Sequence, residues 1–191
     1  ATVDPSDLSN SAQGNVITCD VCDSGTFDSG GGVCKDCETD NAECQICEPK
    51  FATDGTTGEV TIDASTNTCL VCSPGYIIVS GGCVAENDPT SGCATGEYGN
   101  GVTCTSCESD AIVNGTTFTG VSHCVKCEYD QSVTGGVSCS QCDSTANMFL
   151  AASNADASVV NTCLSCESGQ FSIGQQASAA GSTSDVCFAC S

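Results

Sequence analysis

The sequence contains no arginine and no tryptophan, and its basic side chains apart from one histidine are Lys35, Lys50 and Lys126. Against these stand 24 acidic residues, which give a formal net charge of −21. Phosphates repel such a surface, so electrostatic docking onto nucleic acid or an anionic membrane face is excluded. Trypsin-like proteases find almost no cleavage sites, which suits a protein outside the cell. A purely solubilising charge is the alternative interpretation.

Long apolar runs are also missing, and nothing in the sequence resembles a membrane-spanning segment of 18 or more apolar residues. Apolar residues reach 39% only because cysteine and alanine are counted, and there is a single methionine, Met148. Such a chain cannot bury one large aliphatic core and needs covalent cross-links instead. The first residues, ATVDPSDLSN, have no basic and apolar stretch and are typical of a mature N-terminus after signal-peptide removal.

Cysteine is abundant, at 20 of 191 residues. An even number of cysteines in a chain with little core favours secretion and oxidation over a reducing cytosol. We therefore expect all of them to form disulfides: Cys19, Cys22, Cys34, Cys37, Cys44, Cys47, Cys69, Cys72, Cys83, Cys93, Cys104, Cys107, Cys124, Cys127, Cys139, Cys142, Cys163, Cys166, Cys187 and Cys190. Nine Cys-x-x-Cys pairs account for all but Cys83 and Cys93.

An internal repeat organises these cysteines. DASTNTCLVCSPGY, ending at Tyr76, matches DASVVNTCLSCESGQF, ending at Phe171, and VITCDVC matches GVTCTSC upstream. The match predicts two ten-cysteine units with loop insertions between them. The predicted divisions are an N-terminal segment 1–18, repeat unit one 19–93, a connector 94–103 and repeat unit two 104–191.

Between the cysteines the chain is rich in turn residues, with short β-prone runs at 60–62, 76–79, 111–113 and 116–121. One weak helix candidate covers 145–157. We predict a small disulfide-rich fold: elongated tandem cysteine-rich modules of short β-hairpins and loops, with little or no helix.

A cysteine, a short turn and an aromatic recur in CDSGTF, CSPGY, CATGEY and CESGQF, with a glycine-free relative in CEPKF. We expect the glycine to adopt a positive φ and so permit a tight reversal. The aromatic residue should then begin a strand and cover a neighbouring disulfide with its ring. Disulfides should outweigh aromatic burial as the source of stability, at roughly 3 kcal/mol for a 15-residue loop in the chain-entropy model.

Two other uses of Cys-x-x-Cys pairs are less consistent with this sequence. A thioredoxin-like centre needs a βαβ setting that the pattern does not show, and a zinc ribbon at Cys19/Cys22 with Cys34/Cys37 would have acidic surroundings. Four cysteines can be joined in three ways, and sequence does not choose among them. Our interpretation joins first to third and second to fourth: Cys19–Cys34, Cys22–Cys37, Cys44–Cys69 and Cys47–Cys72, likewise in the second unit, with Cys83–Cys93 and Cys187–Cys190 closing the units.

Other chemistry is sparse. His123 is the single histidine and has no serine or histidine partner pattern, so we predict a loop residue, no enzyme, no metal site and no cofactor. Weak calcium binding at a cluster such as Asp4 and Asp7 is a further metal alternative. Asn114-Gly-Thr is a glycosylation acceptor and predicts an exposed loop. Asn67 and Asn161, each followed by Thr-Cys, are more consistent with loop residues beside cysteine turns.

Repeated Cys-x-x-Cys pairs separated by Gly/Ser/Thr/Asn loops, with CxxGxF/Y turns, resemble the ciliate immobilisation antigen family of cysteine-rich surface proteins. Diplomonad variant-specific surface proteins are similar in pair density, and SGGC at 80–83 is similar to their GGCY signature, although they usually carry more lysine. Furin-like and EGF-like repeats share the turn with tighter cysteine spacing. The resemblance covers about 19–190 and rests on spacing.

This resemblance implies an extracellular, protease-resistant coat on the cell surface, with a glycosylphosphatidylinositol lipid anchor at Ser191 as its membrane contact. The implied partners are the protein itself or neighbouring coat proteins, with no nucleic acid. The alternative is a subunit of a self-assembling extracellular filament, or an adhesin, built from the same repeats. Asn114 would make the protein a glycoprotein.

Overall fold

The computed structural model describes residues 22–30, 33–151, 162–177 and 186–190. Across these ranges the chain forms sixteen strands, arranged as eight two-stranded antiparallel sheets that each join two successive strands. The described residues contain no α-helix and only two short 3-10 helices, Cys37–Thr39 and Ser144–Ala146. The prediction of disulfide-rich β-hairpin modules with little helix is confirmed.

The eight hairpins follow one another along the chain. Their strands are β1 (Thr26–Asp28) with β2 (Cys34–Asp36), β3 (Cys44–Thr53) with β4 (Val60–Cys72), β5 (Tyr76–Val79) with β6 (Gly82–Ala85), β7 (Glu97–Gly99) with β8 (Cys104–Ser106), β9 (Ala111–Val113) with β10 (Thr116–Phe118), β11 (Cys124–Tyr129) with β12 (Val137–Cys142), β13 (Met148–Leu150) with β14 (Cys163–Ser165), and β15 (Gln170–Ser172) with β16 (Cys187–Ala189).

The β-prone runs predicted from sequence fall in strands. The runs at 76–79 and 111–113 coincide with β5 and β9, and 60–62 lies at the start of β4. The run at 116–121 forms β10 only as far as Phe118. Between β9 and β10 the turn residues Asn114 and Gly115 both have positive φ, of 48° and 78°, which is the geometry that an Asn-Gly hairpin turn favours.

The helix candidate at 145–157 is wrong over its described part. The 3-10 helix Ser144–Ala146 ends at Asn147, whose left-handed φ of 61° reverses the chain into β13. The side chain of Asp143 accepts from the N–H of Thr145 and so caps the 3-10 helix. Residues 152–157 lie outside the described residues.

Buried side chains form three small clusters and no single large core among the described residues. The largest contains Tyr98, Phe118 and Val137 together with five disulfide-bonded cysteines. A second consists of Cys37, Cys44, Cys69 and Cys72, with Tyr76 and Ile78 packed against it. The third includes Phe149, Val186 and Cys187. Cysteines make up half of the first cluster and all of the buried residues of the second.

Candidate functional site

The disulfide framework is the most distinctive chemistry of this fold. Eighteen cysteines form nine bonds: Cys22–Cys34, Cys37–Cys47, Cys44–Cys69, Cys72–Cys83, Cys93–Cys104, Cys107–Cys127, Cys124–Cys139, Cys142–Cys163 and Cys166–Cys187. Cys190 has a free and exposed thiol. Cys19 lies outside the described residues.

Two of the pairings expected from sequence are found, Cys44–Cys69 and Cys107–Cys127. The others that involve described cysteines are wrong: Cys19–Cys34, Cys22–Cys37, Cys47–Cys72, Cys83–Cys93, Cys104–Cys124, Cys139–Cys163, Cys142–Cys166 and Cys187–Cys190. The physical reason lies in the hairpins. Register shifts in the β3–β4 and β11–β12 ladders change which side chains face one another, and the spacing of the cysteines in the sequence does not show these shifts.

The bonding pattern repeats along the chain. Bonds Cys22–Cys34, Cys37–Cys47, Cys44–Cys69 and Cys72–Cys83 have successive counterparts in Cys93–Cys104, Cys107–Cys127, Cys124–Cys139 and Cys142–Cys163. We call residues 22–83 module one and residues 93–163 module two. Cys166–Cys187 is the counterpart of the first bond and opens a third copy.

This register differs from the units predicted at 19–93 and 104–191. The predicted connector, 94–103, contains β7 and lies inside the loop that Cys93–Cys104 closes. The sequence match had aligned Cys69 and Cys72 with Cys163 and Cys166, whereas their bonds correspond to those of Cys139 and Cys142. Segment 1–18 lies outside the described residues.

Hydrogen bonds follow the same repeat. The N–H groups of Cys37, Cys107 and Cys190 donate to the carbonyl oxygens of Gly25, Gly96 and Gly169, respectively, at 2.8, 2.9 and 2.9 Å. Each glycine is the one in a CxxG turn, and its φ lies between 84° and 92°. The prediction that these glycines permit a reversal with positive φ is confirmed. The hairpins β1–β2, β7–β8 and β15–β16 are therefore three copies of one element.

The aromatic residues after these turns do lie in strands, but their burial differs. Phe27 in β1 and Tyr98 in β7 are 2% and 0% exposed, whereas Phe171 in β15 is 49% exposed. Phe171 packs beside Phe188 with ring centroids 5.6 Å apart. The glycine-free relative CEPKF makes no turn and lies within β3, with a register shift between Pro49 and Lys50 and with Phe51 exposed.

Tyr98 is the aromatic centre of module two. Its ring lies 5.7 Å from that of Phe118, and its hydroxyl donates to the carbonyl oxygen of Ser109 at 3.1 Å. Burial, with a smaller contribution from the carboxylate of Asp110, raises the pKa of Tyr98 to about 12. This phenol stays neutral and serves as a packing and hydrogen-bonding group.

In each module two disulfides lie against one another. The Sγ atom of Cys69 is 3.4 Å from that of Cys83 and 3.8 Å from that of Cys72, although Cys69 is bonded to Cys44. We call Cys44, Cys69, Cys72 and Cys83 the sulfur cluster of module one. Thiolates bind metal ions and disulfide sulfurs do not, so in this bonded state the cluster is a pair of cross-links.

Module two contains the equivalent sulfur cluster, Cys124, Cys139, Cys142 and Cys163. The Sγ atoms of Cys139, Cys142 and Cys163 all lie within 4.8 Å of one another. The sequence gives no signal for this proximity, because it depends on the bulges that shift the register between β11 and β12 near Cys124.

Glu86 joins the two modules and was not singled out by sequence reasoning. Its N–H donates to the carbonyl oxygen of Gly75 in module one at 2.9 Å. Its two carboxylate oxygens accept from the N–H groups of Gly99 in β7 and Tyr129 in β11, at 2.7 and 2.8 Å. Burial raises the pKa of Glu86, the two N–H donors oppose that rise, and the nearby Glu128 adds to it. The junction thus depends on a partly buried carboxylate.

Several other acidic side chains stabilise turns by accepting backbone hydrogen bonds. The carboxylates of Asp54, Asp88, Asp130 and Asp143 accept backbone N–H groups two or three residues ahead. These hydrogen bonds, from side chains as well as from the backbone, lower the pKa of each carboxyl group. Part of the negative charge is therefore explained by local turn structure.

The predicted modification sites have different settings. Asn114 is exposed at the tip of the β9–β10 hairpin. Asn67 donates to the carbonyl oxygen of Cys37 at 3.0 Å, and its own side-chain oxygen is buried. Exposed His123 has a φ of 63°, and its carbonyl oxygen accepts from the N–H of Asp143. Asp4, Asp7, Asn161 and Ser191 lie outside the described residues.

The fold and its bonds define a small disulfide-rich protein of tandem β-hairpin modules. Nine disulfides fit an oxidising, extracellular environment. In the described ranges no helix is long and apolar enough to cross a membrane. Comparisons with family models, curated proteins and solved structures gave no match.

Proposed function

We propose that this chain is an extracellular structural surface-coat protein, similar to immobilisation and variant antigens, stapled by disulfides, resistant to proteases and lipid-anchored at its C-terminus. The proposal rests on one observation: two hairpins have the same disulfide pattern but differ in the length of the loop end that projects beyond it. The hairpins β3–β4 and β11–β12 have equivalent disulfides, yet 21 residues separate Cys47 from Cys69 and 11 separate Cys127 from Cys139.

The longer of these two hairpins, β3–β4, shows which residues such a difference in length exposes to solvent. Residues 51–61 are all exposed and include Phe51 and Val60. Neither side chain belongs to a buried cluster. A coat protein needs this arrangement, because its outer loops can change while the cross-linked frame stays the same.

Lysine positions support protease resistance. Lys35 lies in β2, Lys50 in β3 and Lys126 in β11, so each potential trypsin site is held in a paired strand. Trypsin-like enzymes bind an extended, unpaired segment, which these hairpins supply only after local opening.

Surface labelling of producing cells tests the proposal. A membrane-impermeant amine reagent should modify exposed Lys50 and Lys126 on intact cells. A phospholipase specific for glycosylphosphatidylinositol should then release the labelled protein. Release into the medium without the enzyme would contradict the anchor, and labelling only after permeabilisation would contradict the coat function as a whole.

A filament subunit or adhesin is the second candidate, and one observation favours it. Phe171 and Phe188 form an exposed pair of rings tilted by 36°, whereas the residues equivalent to Phe171 in modules one and two, Phe27 and Tyr98, are buried. Light scattering after size exclusion, with and without calcium, distinguishes the candidates. A monomer under all conditions contradicts the filament, and assembly that Phe171→Ser abolishes supports it.

A further inference from the structure

The sulfur cluster of module one contains two disulfides close enough to exchange partners. Cys72 Sγ lies 3.8 Å from Cys69 Sγ, although both residues belong to β4 and are bonded elsewhere, to Cys83 and Cys44. The register shift in the β3–β4 ladder between Cys44 and Cys47 accompanies this proximity.

Burial determines where an external reagent can enter. Cys44, Cys69 and Cys72 are at most 2% exposed, whereas Cys83 in β6 is only half-buried. An approaching thiol therefore meets Cys83 first.

From this geometry we propose that the sulfur cluster of module one is a thiol–disulfide exchange site that takes a small thiol at Cys83. The thiolate RS⁻ attacks Cys83 Sγ, forms a Cys83–S–S–R mixed disulfide and releases the Cys72 thiolate. The Cys72 thiolate attacks Cys69 Sγ, forms Cys69–Cys72 and releases the Cys44 thiolate. Each step makes one S–S bond and breaks one, so no net oxidation occurs.

The second step has a strong proximity advantage. Cys72 and Cys69 are held side by side, which replaces a bimolecular encounter by an intramolecular one. The three distances among Cys69, Cys72 and Cys83 place Cys69 beside the Cys72–Cys83 bond. Attack along the S–S axis therefore requires Cys72 to rotate once its own bond is broken. The reacting form is the thiolate, so the exchange should accelerate as pH rises.

Module two provides a matched comparison. Its sulfur cluster has the same bonds, but Cys163, the counterpart of Cys83, is 9% exposed. The same internal step is available there once Cys142 is freed, while entry of a thiol from solution is hindered. The exchange depends on this bond geometry and not on the coat function.

Replacement of Cys83, the cysteine that the thiol attacks first, tests the second step, the attack of Cys72 on Cys69, in the full chain. In Cys83→Ser the Cys72 thiol is left beside the intact Cys44–Cys69 bond. After acid quenching, alkylation and peptide mapping without reduction, we expect label on Cys44 together with a Cys69–Cys72 bond. Cys163→Ser should likewise move label from Cys142 to Cys124. Label confined to Cys72 and Cys142 would overturn the proposal.

Cys34→Ser is the control, because Cys22 contacts no disulfide sulfur of the described residues other than that of its partner Cys34; the label should stay on Cys22. A second measurement covers the case in which Cys83→Ser misfolds. Unaltered protein exposed briefly to limiting glutathione should carry glutathione on Cys83 and alkylation label on Cys44. Glutathione on Cys83 with label on Cys72 alone would refute the exchange step.

Discussion

Cys190 donates its backbone N–H to the carbonyl oxygen of Gly169 at 2.9 Å, the hydrogen bond that marks the start of each module. The two cysteines equivalent to Cys190 in modules one and two, Cys37 and Cys107, are both disulfide-bonded. The thiol of Cys190 is free and exposed. The CxxG turn and its hydrogen bond therefore form at Cys190 without the disulfide that its two counterparts carry.

This assignment predicts a specific alkylation pattern. Treatment with iodoacetamide under native, non-reducing conditions should label the C-terminal peptide at Cys190, while Cys166 and Cys187 react only after reduction because they are bonded to each other. Peptide mapping by mass spectrometry measures both. Native label on Cys187 with none on Cys190 would contradict the pairing.

A second prediction concerns the contact of Gly101 with module one. Its carbonyl oxygen accepts from the N–H of Cys72 at 2.7 Å, its φ is 97°, and an added Cβ would lie 2.7 Å from the carbonyl oxygen of Cys72. Gly101→Ala should lower the free energy of unfolding by about 1–2 kcal/mol for the left-handed backbone. A further loss of about 1–3 kcal/mol should come from the steric clash.

Gly30→Ala is the matched control, because Gly30 has a φ of 98° and no atom within 4 Å of an added Cβ. Gly30→Ala should lose only the part of the free energy of unfolding that comes from the left-handed backbone. Denaturant titration of the oxidised proteins compares the two, and equal losses would show that the predicted clash is absent.

A third prediction follows from Glu86 at the module junction. Its pKa in the folded protein is raised above the ordinary 4.5, so the folded state holds the proton more tightly than the unfolded chain. The stability contributed by protonated Glu86 is complete below the unfolded value and is lost as the pH rises through the raised value. Relative to Glu86→Gln, the protein should therefore lose stability across that window.

Denaturant midpoints measured over a pH series, for both proteins, test this difference. Glu86→Ala separates charge from hydrogen bonding, since it removes both acceptors for the N–H groups of Gly99 and Tyr129. It should be less stable than Glu86→Gln at every pH. A pH-independent difference between the native protein and Glu86→Gln would show that Glu86 titrates normally.

Much of the local structure followed from the sequence. The runs at 76–79 and 111–113 became strands, and the glycines of the CxxG turns took positive φ, because both depend on neighbours in the chain. The cysteine content likewise indicated cross-linked hairpins. These are properties of short segments.

Most disulfide partners and the boundaries of the modules could not be predicted from the sequence. Cys72 lies opposite Cys44 in the β3–β4 ladder yet bonds to Cys83 in β6 and not to the predicted Cys47, and no sequence signal marks the register shift in this ladder. Glu86 was equally hidden, because one glutamate among many shows its function only when β7 and β11 approach it. Both depend on contacts between segments.

Tyr98 provides a fourth prediction. Its pKa of about 12 lies above the ordinary 10.0, so the difference in tyrosinate absorbance between the native protein and Tyr98→Phe should develop near pH 12. The neutral phenol stabilises the fold below pH 10.0, and that stability is lost as the pH rises through the raised value. A difference spectrum that develops near pH 10.0 would contradict the burial of this ring.

The last prediction uses the spans of the disulfides around the three lysines. Cys44–Cys69 spans Lys50, and Cys107–Cys127 and Cys124–Cys139 span Lys126, so cuts there leave the fragments joined.

The bond after Lys35 lies between Cys22–Cys34 and Cys37–Cys47, and no disulfide of the described residues crosses it. Prolonged trypsin treatment without reductant should therefore release residues 1–35 and nothing else, whereas reduction of the same sample should separate all fragments. Mass spectrometry of both samples reads the result directly. Retention of 1–35 by the cut protein would show a further cross-link over this point, and separation at Lys50 without reductant would contradict Cys44–Cys69.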